Sequence, residues 1–254
     1  MKPRMRVSKA VWAGALAIAA GAVLVSFRSA YEPDVWWHLA QGREAAAGSL
    51  VRTNLFSFVY RDYPQHYTSW LFDLGSYLLW TGAGGAALQL VQALLIAAAL
   101  GLTALACRVR ASMAATIAAC LFGWLIIEPR ALPRPHIFSF AGFAACVWLI
   151  ERARVAQSWR PLAWLLPLVI VWANVHVECV FGVGLVGLVG LCEWIRPRTL
   201  PRTDALTVAG IATLALLGTA INPYGFGLLR YLYENAFVPQ VLNIAELRPP
   251  YLPN

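Results

Sequence analysis

AALQLVQALLIAAALGLTALAC, residues 86–107, runs 22 positions without one Asp, Glu, Lys or Arg. At 1.5 Å per residue such a run forms a helix of about 33 Å, enough to cross a bilayer's hydrocarbon core. Working outward from it, further apolar runs lie at about 9–28, 111–127, 136–151, 162–178, 179–195 and 205–221. The shorter stretch 67–80 carries Asp73 and is too short to cross with ease. The sequence therefore predicts an all-α, polytopic transmembrane helical bundle. It has about seven spanning helices and forms a single transmembrane domain over 1–254, with 67–80 lying along the interface.

Composition agrees with lipid as the outer solvent. Hydrophobic residues make up 60% of the chain and charged residues 13%, about half the charged share of a soluble domain. The formal net charge of +8 does not point to nucleic acid, because the cations lie in short clusters beside apolar runs. Cys107, Cys120, Cys146, Cys179 and Cys192 sit in or at the ends of apolar runs without metal-ligand spacing, and read as small packing residues. The first run is expected to be a retained helix.

Charge also sets the orientation. Basic clusters occur at 2–9, Arg108/Arg110, Arg152/Arg154/Arg160 and Arg196/Arg198/Arg202. Seven crossings, with 67–80 not spanning, put all four in the cytoplasm, as the positive-inside tendency asks. The N-terminus is then cytoplasmic, and residues 29–85, 128–135, the corner at 174–178 and everything after Asn222 face outward. Nine of the twelve acidic residues fall on that side. A long outer loop rich in Trp, Tyr and Phe is expected to be ordered and functional.

Five polar constellations lie on the outer face. Asp34 and His38, in DVWWHLAQGR (34–43), share a helix face at i,i+4; that carboxylate could take a proton, bind a metal or hold the His. The structural alternative is an N-cap Asp followed by an interfacial Trp belt. His66 and Trp70 open the interfacial segment, where a Trp at headgroup level is ordinary, and Asp73 lies one turn further in. Arg134 and His136 end the proline-stiffened turn EPRALPRPH (128–136), and arginine forks suit phosphate oxygens. The competing account is a snorkelling or salt-bridged arginine. Asn174, His176 and Glu178 sit where two helices meet without a polar loop, and Asn222 and Tyr224 belong to a helix-ending NPYG turn. Phosphate-binding Gly-rich loops, HExxH and Gly-x-Ser-x-Gly are absent from the sequence.

Taken in order, DVWWHLAQGR, NLFSF, YTSWLFDLGSYLLW, RPHIFSF, WANVH, INPYG and IAELRPP resemble the GT-C class of membrane glycosyltransferases. The likeness covers most of 30–250, is nearest to a bacterial branch of multi-pass proteins in that superfamily, which implies a bacterial inner membrane, and extends to protein O-mannosyltransferases and lipid A aminoarabinose transferases. It implies a GT-C-like fold and a polyprenyl-phosphate-linked sugar as donor, reached from the membrane lipid. It also implies a catalytic carboxylate in the first outer loop, matched by Asp34. Val177-Glu178 after His176 departs from the small residues of that class. GT-C proteins also continue beyond a length of 254, so the chain could be the N-terminal part of a longer one, a shortened homologue or an inactive one.

The resulting expectation is sugar transfer to an extracytoplasmic acceptor. Asp34 is the general base and Arg134, with His136, holds the donor phosphate. Asn174, His176 and Tyr224 shape the sugar site, and His38, His66, Trp70, Glu178 and Asn222 line it. A divalent metal on Asp34, His38 and Glu178 is compatible with these residues, but the reaction does not require a cofactor. The rivals are a non-catalytic glycan-lipid binder or assembly subunit, and a transporter, which should carry its polar site in mid-membrane.

Overall fold

The computed structural model describes residues 20–21, 33–56, 58–59, 61, 64 and 68–237. The expected first span at 9–28 and His66 thus lie outside the described residues, apart from a helical pair at 20–21. Among the described residues the fold is all-helical, with one isolated bridge between Thr53 and Pro64.

Among the described residues, the segment expected to be the long outer loop holds two helices. α1 (Pro33–Ala46) starts at Pro33, which sacrifices no hydrogen bond in a first turn, and Asp34 complements the helix dipole. It ends before Gly48, whose φ of 82° favours glycine. α2 (Trp70–Ala83) replaces the interfacial segment 67–80; its 14 residues make about 21 Å, too short to span. Gly84, at φ 73°, turns the chain into the next helix.

α3 (Gly85–Cys107), α4 (Met113–Ile127) and α5 (His136–Ala156) follow. The Ser112 hydroxyl caps α4 by accepting from Ala115 N at 3.2 Å. A 3₁₀ turn, Glu128–Arg130, leads from α4 towards α5. α5 outruns its expected end at 151 by more than a turn and stops at Gln157 in the left-handed region. A second 3₁₀ turn (Arg160–Trp164) introduces α6 (Leu165–Val175), which is shorter than the expected 162–178 because Pro161 favours the tight entry turn and His176 is extended. Then come α7 (Cys179–Ile195), α8 (Arg202–Gly218) and α9 (Gly227–Phe237). The expected 205–221 is shifted a turn earlier in α8, and α9 was not foreseen.

Among the described residues, three helices are long and apolar enough to cross a bilayer: α3, α4 with its 3₁₀ turn, and α5. They identify a membrane protein. Large apolar side chains on α4 point outward, including Phe122 and Leu125 at 67% and 68% exposure, as lipid contact would require.

The main core lies where α5, α6, α7 and α8 meet, around Trp172, Cys146, Val169, Val186 and Val208. Trp172 fills the gap between α5 and α7. A Cβ on Gly142 would come within 2.8 Å of its ring, and one on Gly182 within 2.7 Å. On α7 close packing thus falls at Gly182 and at Gly190, which backs onto Val208, while Gly184 faces open space. A second cluster joins α3, α4 and α5 through Ile96, Leu100, Ile127 and Ile137.

Polar links sort the bundle into two ends. At one, Glu151 pairs with Arg110 (3.0 Å) and Arg154 (2.7 Å), and Asp204 accepts from Trp159 N (3.2 Å). Glu193 belongs there too. Its carboxylate accepts from Arg198 N, Thr199 N and Leu200 N at 2.9–3.2 Å and from the Thr199 hydroxyl at 2.6 Å. This end gathers three of the basic clusters; the other end gathers the outer polar constellations.

Candidate functional site

One face of α1 organises the site. Asp34, His38 and Gly42 follow at successive i,i+4 steps and so stack along one side of the helix. Asp34 Oδ2 meets Arg134 NH2 at 2.8 Å, and His38 Nδ1 meets Asp73 Oδ1 at 2.6 Å. Gly42 lies against the Asp73 backbone and Tyr77, where a Cβ has no room. The carboxylate that holds His38 is therefore Asp73 on α2, not Asp34 as the i,i+4 spacing allowed.

Asp73 is 1% exposed and also accepts from the Ser69 hydroxyl at 3.2 and 3.3 Å. Burial pushes its carboxyl up from the ordinary value, and His38 and Ser69 pull it part of the way back. By contrast Asp34 is about half exposed, at 47%, and Arg134 is 26% exposed. The first acid and the arginine thus face solvent at the mouth, with the second acid buried behind them.

Arg134 stands at the start of α5, two residues before His136. His136 Nε2 donates to the Arg130 carbonyl at 2.8 Å, folding the proline-rich turn back on the helix start. From α3, the Gln92 amide donates to the Ala131 carbonyl, which holds the same turn from below. These two bonds brace the turn that carries Arg134.

Beside this pair lies a second polar group. Trp172 Nε1 donates to Ser139 Oγ at 2.9 Å, and Ser139 Oγ is 2.9 Å from His176 Nδ1. Glu178 Oε2 approaches the same nitrogen at 3.3 Å. Ser139 Oγ and Glu178 Oε2 thus converge on one imidazole nitrogen. His136 feels the charges of Arg134, His176 and Glu178.

Asn174 is a joint. Its carbonyl accepts from Trp70 Nε1 at 2.7 Å, while its amide donates to the carbonyls of Ile170 (2.7 Å) and Ile221 (2.8 Å). It ties α2, α6 and the end of α8 together. Asn222 builds its own turn, donating to the Thr219 and Gly225 carbonyls and accepting from Tyr224 N at 2.7 Å. The Tyr224 hydroxyl donates to the Val51 carbonyl at 3.1 Å, fastening the loop after α1 to this turn.

An apolar cavity of about 220 Å³ opens next to Arg134. Phe72 and Leu79 of α2, Leu88 and Leu95 of α3 and Ile137 of α5 line it, and Arg134, Ser76 and Gln92 are its polar members. Gln92 is 4% exposed, and its Oε1 has no hydrogen-bond partner among the described residues.

The structure thus brings together Asp34 with Arg134, and His136 with His176 and Glu178. Trp70 and Asn174 form one joint, and Asn222 and Tyr224 one turn. It does not assemble Asp34, His38 and Glu178 as a metal-ligating trio, because each faces a different partner. Among the described residues no three His, Cys, Asp or Glu side chains gather to hold an ion. Ser139, Gln92 and Ser69 were missed; their one sequence signal was helical register, Ser139 being three residues after His136 and Ser69 four before Asp73. Compared with known proteins, the chain matches no family model, no curated protein and no solved structure.

Proposed function

We propose that this chain is a GT-C-like membrane glycosyltransferase that takes its sugar from a polyprenyl-phosphate carrier. One observation carries the proposal: an arginine at the rim of an apolar cavity, with a half-exposed carboxylate 2.8 Å from it. An isoprenoid phosphate has the matching division, an apolar chain ending in an anion. The likeness of the motif series to the GT-C class supports the same donor.

In the proposed reaction the acceptor hydroxyl passes its proton to Asp34 as its oxygen attacks the anomeric carbon. The bond from that carbon to the carrier phosphate oxygen breaks, and the phosphate leaves with the electron pair. Arg134 stabilises the growing negative charge, and His136 supports the turn that aims it. Bound donor phosphate would draw Arg134 from Asp34 and release the carboxylate for base work. Asn174, His176, Tyr224 and Glu178 shape the sugar side, and His38 orients α1 through Asp73. The site faces the periplasm or exterior of a multi-pass inner-membrane protein, in which α6, α7 and α8 also cross.

A non-catalytic glycan-lipid binder is the second reading, and the Asp34–Arg134 pair favours it to the extent that the carboxylate is occupied. Lipids copurifying with the full chain separate binding from no binding by mass spectrometry. A retained polyprenyl-phosphate sugar, lost in Arg134→Gln, is the expected result. A chain that neither retains nor takes up such a lipid would refute both the donor and the cavity's role.

A further inference from the structure

The basic end holds a second, larger cavity, of about 830 Å³, between the lower parts of α3 and α5 and the 3₁₀ entry to α6. Its floor is apolar, with Leu102, Leu149 and Leu168. Arg152 and Arg160 line it together with Trp148 and Trp164. Arg152 sits over the Trp148 ring at 5.9 Å, and Trp164 is 69% exposed.

The nearby acids are already engaged. Glu151 is shared by Arg110 and Arg154, and Asp204 accepts from the backbone at Trp159. Among the described residues neither Arg152 nor Arg160 has a carboxylate partner. Two uncompensated guanidinium groups therefore stand over an apolar pocket at the end of the bundle. Tryptophans flank it, the side chain that settles at headgroup depth.

We infer that this cavity binds one anionic phospholipid, its phosphodiester on Arg152 and Arg160 and the upper part of one acyl chain on the Leu102–Leu168 floor. Charge complementarity decides the occupant: a zwitterionic lipid would bring its own cation to a site that already has two. Basic pockets between helices take anionic headgroups for this reason. The site lies at the opposite end from Asp34 and is independent of the transfer reaction.

The test is native mass spectrometry of the full chain, purified in detergent and titrated with dioleoyl phosphatidylglycerol or dioleoyl phosphatidylcholine. One phosphatidylglycerol should bind in preference to phosphatidylcholine. Its affinity should fall roughly fivefold for Arg152→Gln or Arg160→Gln and about thirtyfold for the pair. Arg196→Gln with Arg198→Gln, which removes the same charge elsewhere at that end, should leave the affinity unchanged. Equal losses in both double variants would reduce the effect to general surface charge and overturn the site. Displacement by millimolar glycerol phosphate would assign the pocket to a small phosphate ligand and overturn the lipid. Both arginines are exposed, so the variants should fold; a matching elution profile checks that.

Discussion

Asp34→Asn keeps the shape of the side chain and removes its charge, and the geometry allows its two consequences to be weighed separately. At 2.8 Å the pair with Arg134 is short. Coulomb attraction at that distance is about 1.5 kcal/mol in bulk water and about 6 kcal/mol at an effective dielectric of 20. Asp34 is 47% exposed, so solvent screening and the cost of ordering two side chains bring its net worth to stability down to about 1 kcal/mol. Folding should therefore survive the substitution. Removing a general base costs on the order of 10²–10⁴ in rate, or about 3–5 kcal/mol of barrier. Transfer should fall far more than stability does. The assay is transfer of labelled sugar in native host membranes, where any partner chain is present, with thermal unfolding of the purified variant alongside. Normal transfer by Asp34→Asn would falsify the catalytic role. Loss of transfer in proportion to loss of folded protein would return Asp34 to a helix-capping ion pair.

Further expectations follow from packing, titration and topology. Gly182→Ala drives a methyl into the buried Trp172 ring and should lower stability by about 1–3 kcal/mol, read from the thermal midpoint in detergent; an unchanged midpoint would show that the wedge is not tight. The raised Asp73 pKa means that the folded chain holds the proton more firmly than the unfolded one, so stability should decline as pH rises from the ordinary carboxylate value of 3.8 through the folded pKa. Asp73→Asn should flatten that decline, and a variant with the parent's full slope would move its origin elsewhere. Single cysteines at Ser158 and Thr203, in a cysteine-free background, should resist an impermeant thiol reagent in intact cells while one at Ser49 reacts. Reversed labelling would put the basic end outside.

What could be read from the sequence followed the range of the signal. Apolar runs announce helices because each residue reports locally; 86–107 emerged as α3 with one residue added, and 136–151 as α5 with its start kept and its end more than a turn later. α6 lost a turn at each side because Pro161 and His176 impose local geometry that hydropathy does not register. The polar residues of the candidate site stood out as intruders in apolar surroundings, but their partners did not. His38 and Asp73 are 35 positions apart, and Trp70 and Asn174 are 104 apart. Only the folded chain closes those distances. Ser139 carries no signal of its own, since a serine on an apolar helix ordinarily bonds its own backbone.

The stacked face of α1 has a consequence for how this segment can change over time. Asp34, His38 and Gly42 meet Arg134, Asp73 and the α2 backbone in one register. One residue inserted between Asp34 and His38 would turn one part of the helix against the other by about 100°. The ion pair could then be kept only by giving up the imidazole–carboxylate bond and the close helix contact, or the reverse. The same residue inserted between Gly48 and Thr53 would displace no member of that face. Length variation in this chain should therefore stop sharply at the borders of α1, while the loop behind it drifts.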